Sequence, residues 1–102
     1  MTAQEILERL PQIFENSSIE DFAYGDFDQN EIPENIGEIL EVEQYGGEGK
    51  GDEWYSIKHF TKHDVYICVS GRYSSEWGTS FGDGWGYEVK PVQKMVTSYE
   101  AV

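Results

Sequence analysis

Basic residues are what this chain has least of. Seven of its 102 residues are Lys or Arg, against twenty Asp or Glu, for a formal net charge of −13. Between Arg9 and Lys50 there is no base at all. Such a deficit argues against direct contact with nucleic acid or an anionic membrane, because a surface of one negative sign is repelled by both. A single cysteine, Cys68, excludes an internal disulfide. No apolar run reaches the roughly 20 residues of a membrane span. No charged-then-apolar signal segment opens the chain either, so the expected address is the cytoplasm.

Aromatic residues, by contrast, are plentiful: three Trp, seven Tyr and five Phe. A solvated acidic tail would lack them. The length suits one domain, residues 1–102, with a modest core. Within it the charge is unevenly placed. Residues 1–49 hold thirteen acids and one base, a net of −12, and residues 50–102 hold seven acids and six bases, a net of −1. Packing does not require such a field, and self-repulsion opposes it. Solubility is one use for it. Steering toward a basic partner is the other. The acids expected at such a contact are Asp26, Asp28, Glu31, Glu34, Glu38, Glu41, Glu43 and Glu48.

Residues 2–15 carry a helical stripe in Ile6, Leu7, Leu10, Ile13 and Phe14. Thr2 and Glu5 match a capping box, and Pro11 predicts a stop, a kink or a restart near Leu10. Residues 16–37 are irregular. Asn16-Ser17-Ser18 is turn chemistry, with Ser18 placed to cap a short helical turn over Ile19–Tyr24. Pro33-Glu34-Asn35-Ile36-Gly37 reads as a turn. From about residue 38 the period changes to two. Strands are expected over 39–45, 53–60 and 64–70, with Thr61-Lys62-His63 as a hairpin turn. Val65, Ile67 and Val69 share one face of the third strand and Tyr66 and Cys68 the other, so that strand is expected to be covered on both sides. Residues 71–86 read as a long loop. Two more strands, 87–90 and 92–99, flank Pro91, which cannot donate to a ladder. The expected fold class is α+β: an N-terminal helix and an acidic irregular segment packed on an antiparallel sheet of four or five strands.

Motifs for catalysis are weak. Gly46-Gly47-Glu48-Gly49-Lys50-Gly51 has the glycines of a phosphate loop, but Gly51 stands where a Walker loop needs Ser or Thr, and strands flank it on both sides. Asp26-Phe27-Asp28-Gln29-Asn30 starts like a calcium loop, yet Glu31 replaces its glycine and Gly37 its bidentate acid. His59, His63 and Cys68 are too few for a structural zinc site without carboxylate help, and Cys68 sits in an apolar strand as a small hydrophobe. The expectation is a chain that is not an enzyme and takes no cofactor or metal.

The segment from Gly71 to Trp85 is rich in Tyr, Trp, Phe, Ser and Gly, the composition of adaptable binding loops. Tyr73, Trp77, Phe81 and Trp85 are therefore candidates for a second contact surface. The competing reading has Trp77, Phe81 and Trp85 folding back to close one end of the sheet. Aromatics beside polar groups also suit a carbohydrate.

Several of these pieces occur together in a familiar order. They are Tyr45-Gly46-Gly47-Glu48-Gly49-Lys50-Gly51, Trp54, His63-Asp64-Val65-Tyr66, Gly71-Arg72-Tyr73-Ser74-Ser75 with Gly78-Thr79, and Glu88-Val89-Lys90-Pro91 with Lys94 and Tyr99-Glu100. Over roughly residues 42–100 the chain resembles small uncharacterised proteins encoded by bacteriophages and prophages. The acidic first half lies outside the pattern. The resemblance implies a phage origin and work in a bacterial cytoplasm, and it carries no assigned activity or site residue. By analogy, small acidic phage proteins often inhibit nucleic-acid-binding host or defence proteins. Alternate residues of a strand recur about 6.7 Å apart on one face, so Glu41 and Glu43 are expected to present an acid row spaced like phosphates. The leading expectation is a phage-derived inhibitor of a basic host or defence protein, a CRISPR effector being the most natural single candidate, acting as a monomer or small homo-oligomer. The alternative is a phage structural or carbohydrate- or protein-binding accessory module that uses the aromatic loop.

Overall fold

Thr2 opens the first helix as its sequence predicts. Its hydroxyl accepts from the Glu5 amide at 3.3 Å, and the Glu5 carboxylate accepts from the Thr2 amide at 3.2 Å. This reciprocal cap satisfies two N–H groups of the first turn. In the computed structural model, which describes residues 1–14, 19–81, 84–92 and 100–102, helix α1 spans Ala3–Ile13 with Pro11 inside it. It buries Ala3, Ile6 and Leu10 along one stripe, and Phe14 at its end. Helix α2 spans Ile19–Tyr24 and buries Phe22 and Ala23. A single 3-10 turn follows at Gln29–Glu31, capped by the Asp28 carboxylate on the Asn30 amide at 2.9 Å.

Among the described residues, five strands then form an antiparallel sheet, so the fold is α+β: β1 Ile39–Tyr45, β2 Glu53–Phe60, β3 Val65–Ser74, β4 Gly78–Ser80 and β5 Gly86–Val89. β1, β2 and β3 lie side by side, and β4 and β5 share the far edge of β3. On one face, Trp54, Ser56, Lys58 and Phe60 of β2 stand beside Gly71, Val69, Ile67 and Val65 of β3. The helices pack there, and Ile6, Leu10, Phe22, Ile36, Phe60, Ile67 and Val69 join one core. Phe22 is its hub, within 6.4 Å of the rings of Phe14, Phe27, Phe60 and Trp85.

Three expectations change. Among the described residues the helices pack on one face of β3 and no further layer covers the other, which carries Tyr66, Cys68 and Ser70 beside His59, Ile57 and Tyr55 of β2. The burial of Cys68 there comes from side chains of its own sheet, Tyr87 among them. Residues 71–80 are not loop. β3 runs on to Ser74 and turns into β4. Gly71 permits this approach, since a Cβ there would sit 2.6 Å from the Ser80 carbonyl oxygen. Third, β1 contains a bulge between Glu41 and Glu43. The strand expected at 92–99 lies, apart from Val92, outside the described residues. No described helix is long and apolar enough to cross a membrane.

Candidate functional site

The bulge in β1 decides where its acids point. Glu41 pairs with Lys58 and Glu43 with Ile57. Lys58 and Ile57 are neighbours in a strand and face opposite sides. Glu41 and Glu43 therefore lie on opposite faces, and the expected phosphate-like row on one face does not form. Glu41 turns to the helical side and accepts from Lys58 Nζ at 2.9 Å and Ser56 Oγ at 3.2 Å. Glu43 stands on the open side near Tyr55, whose hydroxyl pKa rises through burial and through its bond to Glu43.

Glu38 and Glu48 are held by local contacts. The Glu38 carboxylate accepts from Thr61 Oγ1 at 3.2 Å, and the Glu48 carboxylate accepts from the Tyr73 hydroxyl at 3.1 Å. That bond also raises the Tyr73 pKa, and it ties the glycine-rich loop to β3. Gly46, at φ +115°, has no room for a side chain: a Cβ would meet the Glu53 carbonyl oxygen at 2.6 Å. The loop joins two strands, so it offers no helix N-terminus to a phosphate.

The remaining acids gather on the helical layer. Asp26, Asp28, Glu31 and Glu34 are exposed between α2 and β1. Asp26, Asp28 and Glu31 line one cleft together with Asp21 of α2. Glu31 also lines a second cleft with Glu8 of α1. Among the described residues, none of these six is within ion-pair distance of a Lys or Arg. The pairs seen are Glu41 with Lys58, Asp52 with Arg72, and Asp64 with His59. Asp21 and Glu8 were not singled out by sequence. The signal for Glu8 is its place on the flank of the α1 stripe, where Gln4 bonds it at 3.1 Å one turn away.

The aromatic segment divides. Phe81 packs edge-on to Trp54 at 5.6 Å and Trp85 edge-on to Phe22 at 6.4 Å. Both, with Tyr73, are partly buried against the core. Trp77 alone stands out, 85% exposed at the β3–β4 turn. The four candidates therefore do not form one surface.

The catalytic-type side chains are dispersed. His59 Nε2 lies 3.0 Å from Asp64 Oδ1, and its ring stacks on Tyr66 at 4.1 Å. His63 bridges the Met1 amino group at 3.0 Å and the Asn35 carbonyl oxygen at 2.7 Å. The Cys68 thiol meets the Tyr87 hydroxyl, and burial raises its pKa. Among the described residues no three His, Cys, Asp or Glu side chains converge as metal ligands would. No protein family, curated protein or solved structure matches this chain.

Proposed function

We propose that this chain is a non-enzymatic acidic binding protein that inhibits a basic, nucleic-acid-binding partner by covering its cationic surface. One observation carries the reading: Asp26, Asp28 and Glu31 line one cleft with Asp21, and among the described residues none of these four carboxylates is within ion-pair distance of a Lys or Arg. Glu34, exposed beside them in sequence, takes the Lys62 ammonium on its backbone carbonyl at 2.8 Å. Uncompensated carboxylates on one layer favour a partner whose lysines and arginines otherwise hold phosphate. The resemblance to phage proteins supports a partner in a bacterial host, and a defence protein such as a CRISPR effector fits the chemistry.

Affinity capture from host lysate, followed by mass spectrometry, tests this. The captured protein should be basic, and capture should weaken steeply as salt is raised, because exposed charges more than about 8 Å apart are screened at physiological ionic strength. Reversing Asp26, Asp28 and Glu31 to Lys should abolish capture while the chain still folds. Capture unchanged by salt and by the triple reversal would overturn the reading.

The exposed Trp77 favours a second reading, an accessory module that docks by an aromatic anchor. Binding would then survive high salt and vanish in Trp77→Ala.

A further inference from the structure

The acidic layer is not flat. A cleft of about 640 Å³ runs between α1 and the segment from Glu31 to Ile36, with Ile13, Pro33 and Ile36 as apolar lining and Glu8, Glu31 and Arg9 at its rim. A second cleft of about 310 Å³ lies against Phe14, Phe27 and Ile32 and is rimmed by Asp21, Asp26, Asp28 and Glu31. Ile13 and Glu31 line both, so the two clefts meet there. Pro33 is exposed and Ile13 half-buried, and both rest on buried Ile36 and Ile32. Together they make a trough with a preformed apolar floor and five carboxylates against one guanidinium.

From this trough we infer a docking site for a basic, amphipathic peptide segment of the partner, with an apolar side chain seated on Ile13 and Pro33 and Lys or Arg on either side. The inference rests on the proposed function and specifies where and how the partner is held. Charge complementarity selects the occupant. The carboxylates line the rim and do not converge into a metal-ligand group, which suits several separate cations along a chain better than one metal ion. The helix ends add to the same sign. α1, α2 and the 3-10 turn carry no basic residue in their last turns, so the partial negative charge at the C-terminus of α1, beside Ile13, adds to that of the carboxylates. A second copy of the chain, with its net charge of −13, would be repelled. The apolar floor separates this site from diffuse attraction, because an acidic surface alone would not distinguish a partner with an apolar anchor from one without.

The probe is a synthetic nine-residue peptide with a central leucine between lysine–arginine pairs, compared with a peptide carrying serine in place of leucine. Binding is read by calorimetry and by amide chemical shifts of the labelled protein at low salt. The leucine peptide should bind about tenfold more tightly than the serine peptide, as expected for burial of one aliphatic side chain, and should shift Gln12, Ile13 and Asn35. Glu31→Lys should weaken binding about tenfold or more. Glu43→Lys changes the net charge equally on the other face of the sheet and should weaken it no more than about twofold. Equal binding of both peptides, or equal loss in the two variants, would overturn the trough while leaving the basic-partner reading intact. Absence of binding by both peptides at low salt would also overturn it. Failure of lysate capture to return a basic protein would instead remove the broader reading.

Discussion

Lys58 is 1% exposed, and its ammonium lies 2.9 Å from the Glu41 carboxylate, itself 42% exposed. A lysine inside the sheet–helix interface is costly unless its charge is met. Glu41 is thus a structural counter-ion, on the same face as Ile39 by ordinary alternation, while the bulge that follows sends Glu43 to the other face. Glu41→Ala should cost roughly 1–3 kcal/mol, less than a fully buried pair because water reaches one partner. Lys58→Met should stay within about 1 kcal/mol of the parent, because the buried charge goes with it. Urea unfolding of both variants checks this. A harmless Glu41→Ala would show the pair to be unimportant.

The tryptophans should separate cleanly. Trp77→Ala should change stability by under about 0.5 kcal/mol, the usual range for an exposed site. Trp54→Ala should cost about 3–5 kcal/mol, since Trp54 is 2% exposed and packs against Tyr24 and Phe81. Thermal or denaturant unfolding reads both. A large loss in Trp77→Ala would return Trp77 to the core.

Glu5 provides a pH test. Its bonds to the Thr2 backbone, then to the Thr2 side chain, hold its pKa below the ordinary carboxylate value. A depressed folded-state pKa means stabilisation that is present at neutral pH and lost as pH falls through that value. Glu5→Ala should therefore be less stable than the parent at pH 7, and the gap should close on acidification. A gap that stays constant from neutral to strongly acidic pH would show that the cap does not depend on the ionised form.

Gly46 and Gly47 share φ +115°, but only Gly46 lacks space for a Cβ. Gly46→Ala should destabilise more than Gly47→Ala by at least about 1 kcal/mol, the cost of forcing a methyl into filled space. Equal losses in paired unfolding curves would mean that the backbone angle, and not the contact with Glu53 and Trp54, is what requires glycine at position 46.

Much of the fold was legible because local patterns and tertiary needs agreed. The Thr2–Glu5 box, the helical turn at Ile19–Tyr24, the strands over 39–45 and 53–60 and the alternation of the second of them all appear where the sequence places them. Each depends on neighbours along the chain. The misses depend on neighbours across it. Glu41-Val42-Glu43 alternates whether or not a bulge is present, and only the register with β2 shows that the two acids part. Gly71 reads as a breaker, yet it is needed for the close approach of β4. Tyr66 and Cys68 look like a face under a second layer, but among the described residues that face is covered by the sheet's own tyrosines. The trough was out of reach for the same reason. It joins Glu8 and Ile13 of α1 to Glu31 and Ile36, across segments whose spacing in the chain says nothing about their distance in space.

Leu7 of α1 lies against Gly86 of β5, where a Cβ would come within 3.0 Å of Leu7 Cδ2. The pairings β1–β2, β2–β3 and β3–β4 join strands consecutive in sequence, whereas α1 packs on β5 and β3, far along the chain. Loop closure makes such distant contacts the slow ones. The central hairpins are thus expected to assemble first and α1 to dock last. Truncating Ile67 would then slow refolding, while truncating Leu7 would mainly speed unfolding. The wall of the trough that α1 supplies would be the last part of the molecule to take shape, so during synthesis the chain could not grip a partner there until residues near 86 had left the ribosome.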